Sequence, residues 1–182
     1  MKKKVLLLAL AAVILIAGSI GGTLAWFIDS ASVTNTFTVG HVVIEASEPL
    51  WKQTGADHKL VPGKTLIKDP TVTVKQDSEK AYVFFKVTMS ANMAAVVTYT
   101  PASGWETITG RAGIYYRIVD TSAADVSFPA FENNQITVSA AATQADLSAV
   151  SADTMRISFA AVQYEGMDAT VETALSKLPA DF

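Results

Sequence analysis

Between Thr71 and Met89 the sequence alternates with period two on both sides of a short polar connection. Val72 and Val74 alternate with Thr71, Thr73 and Lys75. After Gln76-Asp77-Ser78-Glu79-Lys80, Ala81, Val83, Phe85, Val87 and Met89 share one parity while Tyr82, Phe84, Lys86 and Thr88 take the other. Side chains alternate across a strand, so this pattern predicts two strands joined as a hairpin or as a corner between sheets.

Other segments carry the same signal. Thr34 to Ala46 is strand-like, with Phe37 and Val39 on one parity and Val42, Ile44 and Ala46 on the other, and Gly40 at the phase change reads as a bulge. Further strands are expected at 95–99, 105–108, 114–119, 135–138 and 155–163, broken by Pro101, Gly104, Gly110, Gly113 and Pro129, and 51–63 reads as a loop. Thr143 and Asp168 are expected to cap two short helices, the second with Val171, Leu175 and Leu178 as one apolar stripe ended by Pro179. Many short strands with one or two short helices predict an all-β, jelly-roll-like antiparallel β-sandwich.

The first residues belong to a different kind of segment. Lys2, Lys3 and Lys4 precede an apolar run from Val5 to Ile16, and Thr23-Leu24-Ala25 supplies small residues of the kind a signal peptidase accepts. The reading is a signal peptide over 1–25, cut between Ala25 and Trp26, followed by one domain over 26–182. A retained anchor is the alternative, because the 24 residues from Val5 to Ile28 carry no charge and about 20 apolar residues cross a bilayer. Gly18, Gly21 and Gly22 favour cleavage, since they weaken a helix where a span would continue.

The sequence carries 14 Lys and Arg against 17 Asp and Glu, and losing three signal lysines makes the remainder more acidic. That balance gives no general attraction to nucleic acid or to an anionic membrane, and membrane contact is expected only through the signal segment before cleavage. There is no cysteine, which removes thiol catalysis and any disulfide scaffold and suits an exported domain with core enough to do without.

Chemistry-bearing patterns are sparse. No Gly-x-Ser-x-Gly, phosphate loop, dinucleotide fingerprint or His-Glu-x-x-His helix is present. His41 and Glu45 would share a strand face but stand about 13 Å apart, too far to chelate one ion alone. His41 and His58 are therefore expected to be solvated surface residues, and Asp57, Asp69, Asp77 and Glu79 a solvated acidic edge. No catalytic residue, metal ligand or cofactor is expected. Trp51, Trp105, Tyr115 and Tyr116 could form a carbohydrate platform if exposed together, but packing within and around a core is the commoner use of such rings.

Gly22-Thr23-Leu24-Ala25-Trp26-Phe27, Asn35-Thr36-Phe37-Thr38-Val39-Gly40, Leu60-Val61-Pro62-Gly63-Lys64-Thr65 with Lys68-Asp69-Pro70, and Ala81-Tyr82-Val83-Phe84-Phe85-Lys86-Val87 occur here in an order that resembles the TasA and camelysin family. So does Ala160-Ala161-Val162-Gln163 followed by Gly166 and Asp168. The resemblance implies export from a Gram-positive bacterium with a SipW-type signal peptide, a jelly-roll sandwich, and assembly into biofilm-matrix fibres in which an N-terminal strand of one subunit completes the sheet of the next.

The expected function is a secreted, non-enzymatic structural protein of the cell surface or matrix. Its partner would be itself as a homopolymer, with other matrix proteins or polysaccharide as further partners. A camelysin-type cell-surface metallopeptidase and a surface adhesin or carbohydrate-binding module are the alternatives. The candidate donor strand is Trp26 to Val39, in which Phe27, Ala31, Val33, Phe37 and Val39 share one parity.

Overall fold

The computed structural model describes residues 41–53, 58–150, 153–165, 170–179 and 182. The expected signal segment 1–25, the expected cleavage junction Ala25/Trp26, the candidate donor-strand residues Phe27, Ala31, Val33, Phe37 and Val39, and the bulge expected at Gly40 lie outside them. Within the described residues ten strands form: β1 Ile44–Ser47, β2 Thr65–Ile67, β3 Thr71–Val74, β4 Ala81–Thr88, β5 Val97–Pro101, β6 Glu106–Thr107, β7 Ile114–Val119, β8 Val126–Pro129, β9 Phe131–Val138 and β10 Arg156–Gln163. Four short helices accompany them: α1 Pro49–Gln53, α2 Ala91–Val96, α3 Gln144–Ala149 and α4 Val171–Ser176.

Every strand pairing is antiparallel, in the orders β1-β3-β8, β2-β9-β5 and β10-β4-β7-β6. The first two sheets continue one another. The chain passes from β2 to β3 through Lys68-Asp69-Pro70 and from β8 to β9 through Ala130, and the step is bridged by Lys68 N–H donating to Asn134 O at 2.8 Å and Ala130 N–H to Pro70 O at 2.8 Å. The slack is taken up by Asn133 and Asn134, at φ 52° and 54°, the left-handed region that asparagine tolerates better than most side chains. The result is an all-β sandwich: this bent layer faces β10-β4-β7-β6 across a core that includes Leu66, Val72, Val83, Phe85, Phe131, Ile136 and Val138.

The period-two block at 71–89 resolves as a corner. β3 and β4 lie in different layers, so the polar connection carries the chain across the sandwich. Asp77 accepts φ 60° at the bend, while Asp125 holds the connection through Lys75 Nζ at 2.5 Å and the Gln76 N–H at 2.8 Å. β4 is buried on both faces. Ala81, Val83 and Phe85 enter the main core, whereas Tyr82 and Phe84 enter a second cluster with Ile108 and Ala174, against which Val171, Leu175 and Leu178 pack. The apolar stripe expected on the last helix thus covers the outer face of this layer.

Several boundaries differ from the sequence expectation. Four helices occur where one or two were expected. The segment expected to open as a strand at Ala95 is still helical there: Ser90 Oγ accepts the Met93 N–H at 3.0 Å and caps α2, and β5 begins only at Val97. Trp51 sits in α1, not in a loop. The cap of α4 is Thr170, whose hydroxyl accepts from the Thr173 N–H. β8 had no expected counterpart, and β9 begins four residues earlier than predicted. The cap of α3 is as expected: Thr143 and Asp146 form a reciprocal capping box.

Candidate functional site

The most distinctive edge in the fold is β10. Among the described residues it pairs only with β4, along its whole length from Arg156↔Thr88 to Gln163↔Ala81. Sheet edges present unpaired backbone groups, and proteins protect them with short strands, charges, proline or bulges. The other edges carry such devices. β2 has three residues, β6 has two, β5 ends in Pro101, β8 ends in Pro129, and β1 is four residues long with Glu45 on it. β10 runs eight residues, and after Arg156 its sequence Ile157-Ser158-Phe159-Ala160-Ala161-Val162-Gln163 has no charge, proline or glycine.

His41, the first described residue, lies near one end of that edge. Glu79 N–H donates to His41 O at 3.0 Å, and Tyr164 N–H donates to Lys80 O at 2.7 Å. His41 therefore joins the fold opposite the residues that face the C-terminal end of β10.

A cleft of about 740 Å³ opens at the other end of β10. Leu66, Met93, Val97, Ile136, Leu147 and Val150 supply its apolar floor, and Asp153, Thr154 and Met155 bring the approach to β10 into its wall. At one pole the rings of Trp51 and His58 stack, centroids 3.5 Å apart and 7° from parallel, and Lys68 Nζ lies 4.4 Å over the indole. Lys68 is buried and ion-paired with Glu48 at 2.6 Å. This polar nucleus corrects two expectations. His58 is not a freely solvated histidine, and Asp69 does not belong to a solvated acidic edge: it is 2 % exposed, its carboxylate accepting the Leu50 and Trp51 N–H groups.

The remaining chemistry-bearing residues do not converge. His41, Asp77 and Glu79 are exposed, and Asp57 lies outside the described residues. Glu45 is 3.6 Å from Lys75 Nζ. No group of three or more His, Asp or Glu that could hold a metal occurs among the described residues. The four aromatics considered as a carbohydrate platform are dispersed. Trp105 is buried edge-on against Phe85 and Tyr115 stacks on the same ring, while Tyr116 lies in the second cluster and Trp51 stands by the cleft.

Electrostatic pairing stabilises the periphery. Asp125 and Asp120 raise the affinity of Lys75 and Lys80 for their protons, chiefly through hydrogen bonds to the ammonium groups. Tyr116 donates to Glu106 at 2.6 Å, and that bond, helped by burial, pushes its phenol up to about 12. That β10 is an edge among the described residues was not legible in the sequence, because an edge exists only once the pairing is known. Its lack of charge was visible.

No family model, curated protein or solved structure matches this chain.

Proposed function

We propose that this chain is an exported structural protein of the cell surface or biofilm matrix, which assembles with copies of itself by strand addition. The observation that supports this most is the eight-residue edge of β10, uncharged beyond Arg156 and without proline or glycine. An extended peptide docks on such an edge through main-chain hydrogen bonds, while its alternate side chains reach apolar slots.

The segment Trp26 to Val39 is the donor. It contains neither proline nor glycine, and its 14 residues at about 3.3 Å each span roughly 46 Å, more than the roughly 26 Å of β10. Addition to a neighbour's β10 then propagates a filament. Catalysis has no role in this reading, and cleavage between Ala25 and Trp26 frees the donor.

Deleting Trp26 to Val33 tests it. A folded, soluble monomer that no longer forms filaments under the electron microscope supports strand addition between copies. Persistent filaments from the truncated protein would remove the donor-strand reading. Collapse of the thermal transition would reassign the segment as the protein's own strand.

A further inference from the structure

Five Lys or Arg residues with described side chains are partly or fully buried: Lys68, Lys75, Lys80, Lys86 and Arg117. Four of them meet an oxygen. Lys68 pairs with Glu48, Lys75 with Asp125 and Glu45, and Lys80 with Asp120, while Lys86 Nζ donates to Phe182 O at 2.6 Å. Arg117 is the exception, with no hydrogen bond or ion pair to any described residue.

The position of Arg117 is nevertheless built. It lies on β7 with its guanidinium carbon 3.8 Å above the Phe128 ring and 5.1 Å from that of Trp105. Gly104, at φ +85°, leaves room on one side: a Cβ there would stand 2.5 Å from an Arg117 terminal nitrogen. The indole that helps form this cradle is itself fixed, its Nε1–H donating to Pro129 O at 2.8 Å. A guanidinium at stacking distance from a ring keeps its five N–H donors in its own plane, so the rings attract the charge and satisfy none of the donors. Burial also makes the charge harder to hold. A partly buried guanidinium whose N–H donors meet no acceptor among the described residues is one that a bound anion can pair.

We propose that Arg117, framed by Trp105, Phe128 and Gly104, is a binding site for a carboxylate group. A single guanidinium offers two parallel N–H bonds, which match the two oxygens of a carboxylate. One positive charge balances one carboxylate and leaves no excess, and the flanking rings suit a planar group with apolar atoms behind it. The carboxylate comes either from a small acid such as a uronic sugar or from an Asp or Glu of a second copy of this acidic chain.

The test is titration of the full chain with sodium glucuronate and, separately, sodium acetate at constant ionic strength, following the Arg117 Nε–H resonance. A saturable shift with both carboxylates and none with chloride is expected. Arg117→Lys, which keeps the charge without the fork, should bind about tenfold more weakly, near 1.4 kcal/mol. If the second copy is the source, the resonance shifts with protein concentration alone, and Arg117→Gln lowers self-association in sedimentation. An Arg117 resonance unmoved by either carboxylate and by protein concentration, or moved equally by chloride, would overturn the assignment. Because the resonance is read in the unaltered protein, the result does not depend on whether a variant folds.

Discussion

The carboxylate of Asp69, at the junction of β2 and β3, accepts the backbone N–H of Trp51 at 3.1 Å through one oxygen and that of Leu50 at 2.8 Å through the other. Helix N-termini leave such donors unsatisfied, and α1 is too short to persist by its own hydrogen bonds. A side chain from the sheet therefore fixes the helix, and with it the Trp51–His58 wall of the cleft. Asp69→Ala removes two charge-assisted bonds and should cost about 2–4 kcal/mol. Denaturant melts read the loss, and Trp51 emission should shift red as its wall loosens. An unchanged midpoint and emission would show that α1 is held by something else.

Phe84 and Phe85 are consecutive, both fully buried, and face opposite ways. Phe85 meets Trp105, Tyr115, Phe131 and Phe159 in the main core, whereas Phe84 meets Tyr116 and Phe182 beneath α4. Replacing either by Ala should cost about 3–5 kcal/mol. The consequences differ in place. Phe85→Ala should weaken the whole sandwich, while Phe84→Ala should first raise amide exchange in 171–176, and equal exchange profiles for the two variants would contradict the two-cluster account.

The Tyr116 phenol donates to Glu106, and its proton is held up to about 12. The ordinary phenol value is about 10, so folding favours the protonated form. That contribution is complete below about pH 10 and is lost as pH rises towards about 12. Glu106→Gln should bring the Tyr116 titration down, read by ultraviolet difference absorbance at high pH. A midpoint that does not move would show that the Glu106 contact is not the cause.

Asp146 behaves in the opposite sense. Hydrogen bonds from the backbone N–H and then the hydroxyl of Thr143 hold its carboxyl below the ordinary aspartate value. Its contribution is present above that ordinary value and is lost as pH falls through the depressed one. Asp146→Asn, which removes the titrating carboxyl, should reduce the acid sensitivity of α3, seen as a smaller change in amide exchange over 144–149 between pH 5 and pH 2. An unaltered pH dependence would remove the capping box as its source.

The sequence was most legible where one physical demand acts alone. The alternation of Val72 and Val74, and of Ala81 to Val87, follows from strands whose faces meet different surroundings, and β7 begins and ends at the expected Ile114 and Val119. Where local and tertiary demands compete, legibility fell. Ala95 and Val96 were expected to open a strand, and the Ser90 hydroxyl, together with burial of Met93 and Val96, keeps them in the helix. Asp69 looked solvated because charge is normally outside; it is inside because the α1 amides satisfy its carboxylate, beside a Lys68 that pairs with Glu48. Arg117 gave no signal in sequence, since its isolation depends on which rings surround it.

Hydrogen–deuterium exchange of the β10 amides, compared between dilute monomer and assembled protein, tests strand addition most directly. If an extended segment from another copy pairs with this edge, alternate amides within 157–163 that exchange readily in the monomer become protected on assembly, and Ala160→Lys reduces both the protection and the filaments. Filaments that form while β10 amides exchange as they do in the monomer would contradict strand addition at this edge.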